Sequence, residues 1–422
     1  MGHLMKNAVA LMISSGGTAG LGVIFWGVAT HLAKPADVGR ASAEVAAMVL
    51  LANLSQLSFT STLERFLPVA GQQTRSFAVR AYTMTIGCAF VLAIGYVAVG
   101  FGHSFLPSSF GWRVVFVFAV ALWTIFILQD SVLIGLRASK WVPVENILYA
   151  LAKLMLLPLL IATSKGQGVF LAWSIPVALT IFVVNWFLFR HRIPEYQRRE
   201  GETGKLPGVR ELVVLAGAQY ATLILGVAST SLVTLIILER LGAVANAYYY
   251  VPAQVAAGPL LLAGGIVRSF LVEASHEPNA VRRHARETTR ALLIVVVPCV
   301  VFGIVLAPQI LSVFGRSYAA HGTTLLRMML LALPGLTVTT LYSAFAWIDR
   351  RVWWTTLREL VSAAIYFTVL FATIRHVGIL SVGIASLVSA GAQGVFFLPV
   401  TIRRYRRTVD IEPGGAGPVA AV

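Results

Sequence analysis

Deep inside the apolar stretch "LYALAKLMLLPLL" stands a single ammonium, Lys153. An ionisable side chain at mid-bilayer costs at least about 2.5 kcal/mol, so by default it marks a pathway or a partner. Asp130, with Gln129 beside it, lies two turns from the end of the preceding apolar run, and Glu145 lies one turn into the run that holds Lys153. Two chemistries are open. The lysine stem can snorkel down to Asp130 or Glu145 as an ion pair between neighbouring helices, or the charges serve transport, with Lys153 meeting an anion and Asp130 coupling to an ion gradient. A second constellation is periodic. Ser42, Ala46, Val49, Asn53, Gln56 and Thr60 recur every three or four residues, which puts a small and polar stripe on one helix face. Glu44 enters the same segment and Glu64–Arg65 closes it. A later segment carries Asn246, Gln254 and Arg268, loosened by Gly258, Gly264 and Gly265. One such stripe is helix–helix glue. Two in equivalent places predict two walls of a watery cavity.

Smaller features add to this. Gln219 and Ser229–Ser231 put polar groups in a seventh apolar segment, and Arg358–Glu359 sit one to two turns inside an eleventh, where they snorkel or pair locally. Tyr248–Tyr250 and Trp353–Trp354 suit interfacial aromatic belts. No Walker lysine loop supplies an ATP motor. No Cys/His spacing fits a metal, and no nucleophile–base pair suits an intramembrane hydrolase. We expect no enzyme, no cofactor and no metal. Cys88 and Cys299 both lie in apolar runs and are expected as free thiols.

The elements that must carry these residues follow from composition. Of 422 residues 58% are hydrophobic and 12% charged, with a mean hydropathy of +0.81. A soluble domain has about twice that charge. A polytopic all-α membrane protein is therefore expected, since lipid offers no partner to open strand edges. Twelve runs are long enough to span: Ala8–Leu32, Ala41–Phe66, Val79–Phe101, Trp112–Leu136, Val142–Thr163, Gly166–Phe189, Leu212–Leu238, Ala245–Leu271, Leu292–Phe314, Thr323–Ile348, Trp353–Ile374 and Ile379–Ile402. The first is too long for a cleaved signal peptide and lacks a small-residue cleavage site. The net charge of +16 suits cytoplasmic loops facing anionic lipids rather than nucleic acid. With both termini placed in the cytoplasm, 24 basic residues fall inside and 8 outside, which with Lys153 makes 33. That bias predicts a multi-pass inner-membrane protein with cytoplasmic termini.

The polar break "RHRIPEYQRREGETGKLPGVR" divides the chain into 1–189, a linker 190–211 and 212–402, and a tail 403–422 follows that lacks a packable pattern. The halves repeat. A shift of 203 places Gly39 on Gly242, Arg65 on Arg268 and Arg80 on Arg283, and later a shift near 210 places Gly168 on Gly378. Six spans per half, both starting inside, predict parallel repeats about an axis along the membrane normal. Two six-helix bundles would then flank a central cavity. Duplication kept only for packing is the alternative.

At "HLAKPADVGRASAEVAAMVLLANLSQLSFTSTLERFLP" the chain resembles the polysaccharide-biosynthesis flippases of the multidrug/oligosaccharidyl-lipid/polysaccharide superfamily, the O-antigen flippase-like branch. Val38-Gly39-Arg40, "LANLSQL" and Arg65-Phe66-Leu67-Pro68 carry the likeness, and "LRASKWVPVENILYALAKLMLLPLLI" at Leu136–Ile161 looks like the family's fifth-span region. The resemblance implies a V-shaped pair of bundles around a cationic cavity. It also implies alternating access that moves polyprenyl-pyrophosphate-linked oligosaccharide to the outer leaflet. Members with fourteen spans exist; twelve departs from those. The expected partners are the lipid-linked glycan, anionic lipids, and membrane glycosyltransferases or a polymerase of the same pathway. A pyrophosphate needs cations, for which Arg65, Lys153, Arg268 and Arg358 are the candidates. A glycan needs amides, for which Asn53, Gln56 and Gln254 are the candidates, and Asp130 and Glu44 are candidates for coupling. A drug/cation antiporter of the same superfamily and a non-transporting scaffold are the rivals.

Overall fold

In the computed structural model, residues 17, 20–100, 102–164, 166–200, 209–276, 281–348 and 352–410 are described. They are helical almost throughout, and no strand occurs among them. The first half contains α1 (Gly20–Leu32), α2 (Pro35–Ser55), α3 (Phe59–Phe66), α4 (Thr74–Ala98), α5 (Phe110–Gly135), α6 (Trp141–Thr163) and α7 (Gly168–Phe187), with α8 (Ile193–Glu200) in the linker. The second half contains α9 (Val209–Leu241), α10 (Ala243–His276), α11 (Val281–Val305), α12 (Ala307–Ser312), α13 (Arg316–Ile348), α14 (Val352–Val377) and α15 (Leu380–Asp410).

Ten of these helices are long and apolar enough to cross a membrane, and a bent pair makes eleven. The bilayer forces this choice, because every backbone polar group must be satisfied within the segment. The first expected span, Ala8–Leu32, begins outside the described residues; its part from Gly20 is helical. The chain is a multi-pass membrane protein. Its helices open where the residue types allow. Pro35 starts α2 with Asp37 in the first turn, and the Ser109 side chain caps α5 by accepting from the Trp112 amide at 3.4 Å.

The repeat is visible in the packing. In the first half α2 packs on α4 and α5, α5 on α4 and α7, and α6 on α7. In the second, α10 packs on α11 and α13, α13 on α11 and α15, and α14 on α15. Each of these pairs has its counterpart in the other half. The halves meet where α2 lies against α9 and α10. The end of the molecule that holds the α1–α2 and α9–α10 turns is called here the loop end, and the opposite one the linker end.

The repeat mates Gly39 and Gly242 come together at the loop end. Gly242 turns α9 into α10 with φ +87°, a conformation glycine adopts without a Cβ penalty. Gly39 lets α2 touch the start of α10 so closely that a Cβ there would stand 1.8 Å from the Ala243 carbonyl oxygen.

The second span is not one helix. Between α2 and α3 the chain bends by 52°, with Leu57 at φ 46° and Ser58 at φ 69°. Neither is glycine, so the left-handed turn is strained, and surrounding contacts must hold it. Two do so here. Gln56 Nε2 donates to the Thr124 carbonyl of α5 at 3.0 Å. From the other half, the Tyr220 hydroxyl of α9 donates to the Leu54 carbonyl at 2.5 Å.

Candidate functional site

Three polar constellations lie within the spans, and the structure groups the candidate residues differently from the sequence spacing. The first surrounds Lys153, which is 4% exposed on α6. Its Nζ lies 3.6 Å from the ring centre of Trp173, 5.0 Å from Phe25 and 5.1 Å from Tyr149. All three distances are inside cation–π range. The walls are themselves braced: the Tyr149 hydroxyl donates to the Trp173 carbonyl at 3.1 Å, and Trp123 packs on both Tyr149 and Trp173. Trp26 continues the cluster from Trp173 to Tyr250 of α10, with ring centres 4.8 Å apart in the second contact. The expected ion pair of Lys153 with Asp130 is not formed. The stem points into aromatic rings supplied by α1 and α7, while Asp130 accepts from Asn146 Nδ2 at 3.2 Å.

The second constellation lies toward the linker end of the first half. Gln129 Nε2 donates to Glu145, Asn185 Nδ2 donates to Gln129 Oε1 at 2.7 Å, and Ser131 donates to Glu64 at 3.1 Å. These bonds tie α5 to α6, α7 and α3. Asp130 and Glu145 are therefore each engaged by a separate amide, Asn146 and Gln129, rather than by the lysine, and each keeps one buried carboxylate oxygen without a partner. Glu44, the other coupling candidate, is fully buried elsewhere, in the loop-end half of α2 beside Trp112 of α5. Neither of its oxygens makes a well-formed hydrogen bond.

The third lies in the second half. Arg358 is nine-tenths buried on α14 and bonds both Glu359 and, at 3.1 Å, Gln393 of α15. Gln393 continues to Ser362 at 2.7 Å and Ser389 at 3.2 Å. The Arg358 Nε–H has no partner. Two residues earlier on α14, Thr356 meets Thr222 of α9 at 2.9 Å.

The two polar stripes meet rather than part at the loop end. Asn246 Nδ2 donates to the Gly39 carbonyl at 2.8 Å and to Ser42 Oγ at 3.0 Å, and both side chains are fully buried. Ser104 donates to Glu239 at 2.6 Å nearby. At this end the halves pair directly, because glycine lets the backbones approach closely enough for amide and hydroxyl to bond. Deeper in, Asn53 and Gln254 are half-buried. Asn53 bonds its own helix at Val49, and Gln254 meets the Tyr250 hydroxyl one turn back. Gln56 departs from the stripe: the break turns it into the first half, against α5.

Arg65 is exposed on α3 with its guanidinium beside Phe66. Its mate Arg268 lies near the linker end of α10, and its side chain, like that of Gln219, is outside the described residues. Spacing missed the aromatic walls around Lys153, although Phe25, Trp173 and Tyr149 are plain in the sequence. It also missed Tyr220, Asn185 and Gln393. The last two were findable as amides in apolar runs.

No protein-family model matches the chain, and no curated protein does. Solved structures do. An inward-facing multidrug resistance MATE family transporter of the MOP superfamily superposes with a TM-score of 0.65 at 13% identity, covering 95% of this chain and 96% of that one. The MATE multidrug transporter DinF-BH gives 0.62 at 14%, covering 97% and 96%. A MOP superfamily transporter from Pyrococcus furiosus, whose reversed binding-pocket polarity suggests a different function for it, gives 0.61 at 13%, covering 96% of each chain. At such identities the likeness is one of fold: the chain has the twelve-helix architecture of MATE transporters.

Proposed function

We propose that this chain is a transporter that moves an anionic amphiphile, a polyprenyl-pyrophosphate-linked oligosaccharide, from the cytoplasmic to the outer leaflet by alternating access. The termini would lie in the cytoplasm of the cell's inner membrane, and the halves 1–189 and 212–402 would rock about the linker. The observation that carries the substrate's sign is Lys153. Its ammonium sits inside the helical body with aromatic faces around it and no described carboxylate upon it, so its charge is left to attract an anion. Arg358 puts a second buried cation in the other half, with a free N–H for an anionic oxygen. A polyprenyl tail can stay in lipid while the head group passes. Sealing at the loop end, through Gly39, Ser42 and Asn246, supports a state that receives cargo from the linker end. The same pathway would supply the partners, namely glycosyltransferases or a polymerase that make or use the lipid-linked glycan.

A drug/cation antiporter is the second reading. It is favoured by the multidrug transporters among the structural neighbours and by the carboxylates Asp130 and Glu145. Reconstitution separates the two. Proteoliposomes should flip a fluorescent lipid-pyrophosphate-linked glycan and fail to accumulate a lipophilic cationic dye, and Arg358→Gln should slow flipping about tenfold or more, in line with loss of a charge-assisted bond. Dye transport without glycan flipping would reverse the assignment.

A further inference from the structure

We propose that Lys153 is the built-in occupant of an organic-ammonium cage, and that by filling this cage it bars cationic cargo from the first half. The selectivity part rests on the transport reading above; the cage does not. Trp173 from α7, Phe25 from α1 and Tyr149 from α6 present themselves to one point, where the Lys153 Nζ sits 3.6, 5.0 and 5.1 Å from their centres. Aromatic boxes of this kind recognise quaternary and alkylated ammonium ions, because the negative faces of the rings replace the water that a weakly hydrated cation gives up.

The box is stiff. Trp123 backs two of its walls, the Tyr149–Trp173 bond fixes their relative position, and Phe25 stacks edge-on against Trp173 with centres 5.3 Å apart. Nothing else described competes for the ammonium. The two carboxylates within two to three turns on α5 and α6 are engaged by Asn146 and Gln129. The lysine therefore stands where a free cation would bind, tethered by its own four-carbon stem. A cation reaching the box would meet an occupied site and a like charge in a low-dielectric surrounding, and both oppose its binding. Deleting the stem should leave a ready-made vacancy, since a braced wall does not collapse.

The test uses the full chain in detergent or nanodiscs, with tetramethylammonium chloride compared against sodium chloride at equal ionic strength. Lys153→Ala should unfold at a lower temperature than the wild type. It should then gain on the order of 3 °C saturably with tetramethylammonium, accompanied by a change in tryptophan fluorescence. The wild type, its box full, should show neither. Lys153→Met keeps the volume without the charge; it should be less stable than Lys153→Arg and should ignore tetramethylammonium. If Lys153→Ala yields folded protein only when tetramethylammonium is present during purification, the cage is upheld. A Lys153→Ala protein without a saturable response, or a wild type that responds equally, overturns it. Should Lys153→Ala fail to fold in either salt, the Met and Arg variants decide: equal stability overturns the cage and lower stability of Met upholds it. Flipping by the wild type is scored separately. A chain with the tetramethylammonium response but without glycan flipping keeps the cage and loses the flippase assignment.

Discussion

At the scale of residues, the charged groups inside the spans are satisfied by neutral neighbours more than by each other. Two double-mutant cycles follow. Gln129→Leu and Asn185→Leu remove the two ends of one 2.7 Å bond, so their effects on thermal stability should couple by about 0.6 kcal/mol, up to roughly 1.7. Lys153→Ala and Asp130→Asn share no partner and should add within about 0.5 kcal/mol. A large coupling there, measured by unfolding in detergent, would restore the ion pair that sequence spacing suggested. Lys153, Asp130, Glu145 and Arg358 were all legible as charges in apolar runs. Their partners were not. Spacing along one helix says which face a residue occupies, whereas the choice between Asp130 and three aromatic rings depends on how α1, α6 and α7 lean together. Gln56 shows the same limit, since its place in a regular stripe held only if the helix stayed straight.

At the scale of elements, two features set how the halves meet. The crossing of α2 over α10 requires a glycine at position 39: Gly39→Ala forces a Cβ against the Ala243 carbonyl and should cost about 1–3 kcal/mol. Gly87→Ala on α4, where a Cβ meets nothing within 4 Å, should be neutral or slightly stabilising. Equal melting temperatures for the two variants would argue against the close crossing. The break between α2 and α3 makes the opposite demand. Ser58 sits at φ 69°, so Ser58→Gly should relieve strain and stabilise by several tenths to about 1 kcal/mol. Were the second span one continuous helix, the same change would destabilise it by about 1 kcal/mol. The twelve runs and the positions of Gly39 and Gly242 were readable because hydropathy and repeat offset are written along the chain. The break was not, because Leu57 and Ser58 carry no proline or glycine. It is imposed from outside, by Thr124 and Tyr220.

At the scale of the molecule, the body has two halves of matched packing that meet where α2 lies against α9 and α10. Its orientation is tested by cysteine labelling in a background without Cys88 and Cys299. Arg198→Cys should react only with reagent supplied from the cytoplasm and Ser108→Cys only from outside; reversed labelling would invert the direction of transport. The proposed function turns on the sign of its cargo. Fold alone cannot set that sign, because neighbours at 13–14% identity share the architecture and are described as multidrug transporters. The buried ammonium of Lys153 among aromatic rings is what favours an anion. The direct measurement is binding by the purified wild type of a soluble lipid-pyrophosphate-glycan analogue against a lipophilic cation of similar size, read by tryptophan fluorescence. Saturable binding of the pyrophosphate, weakened about tenfold or more by Lys153→Gln, is expected, with no saturable binding of the cation. Tight cation binding with none of the pyrophosphate would contradict this expectation.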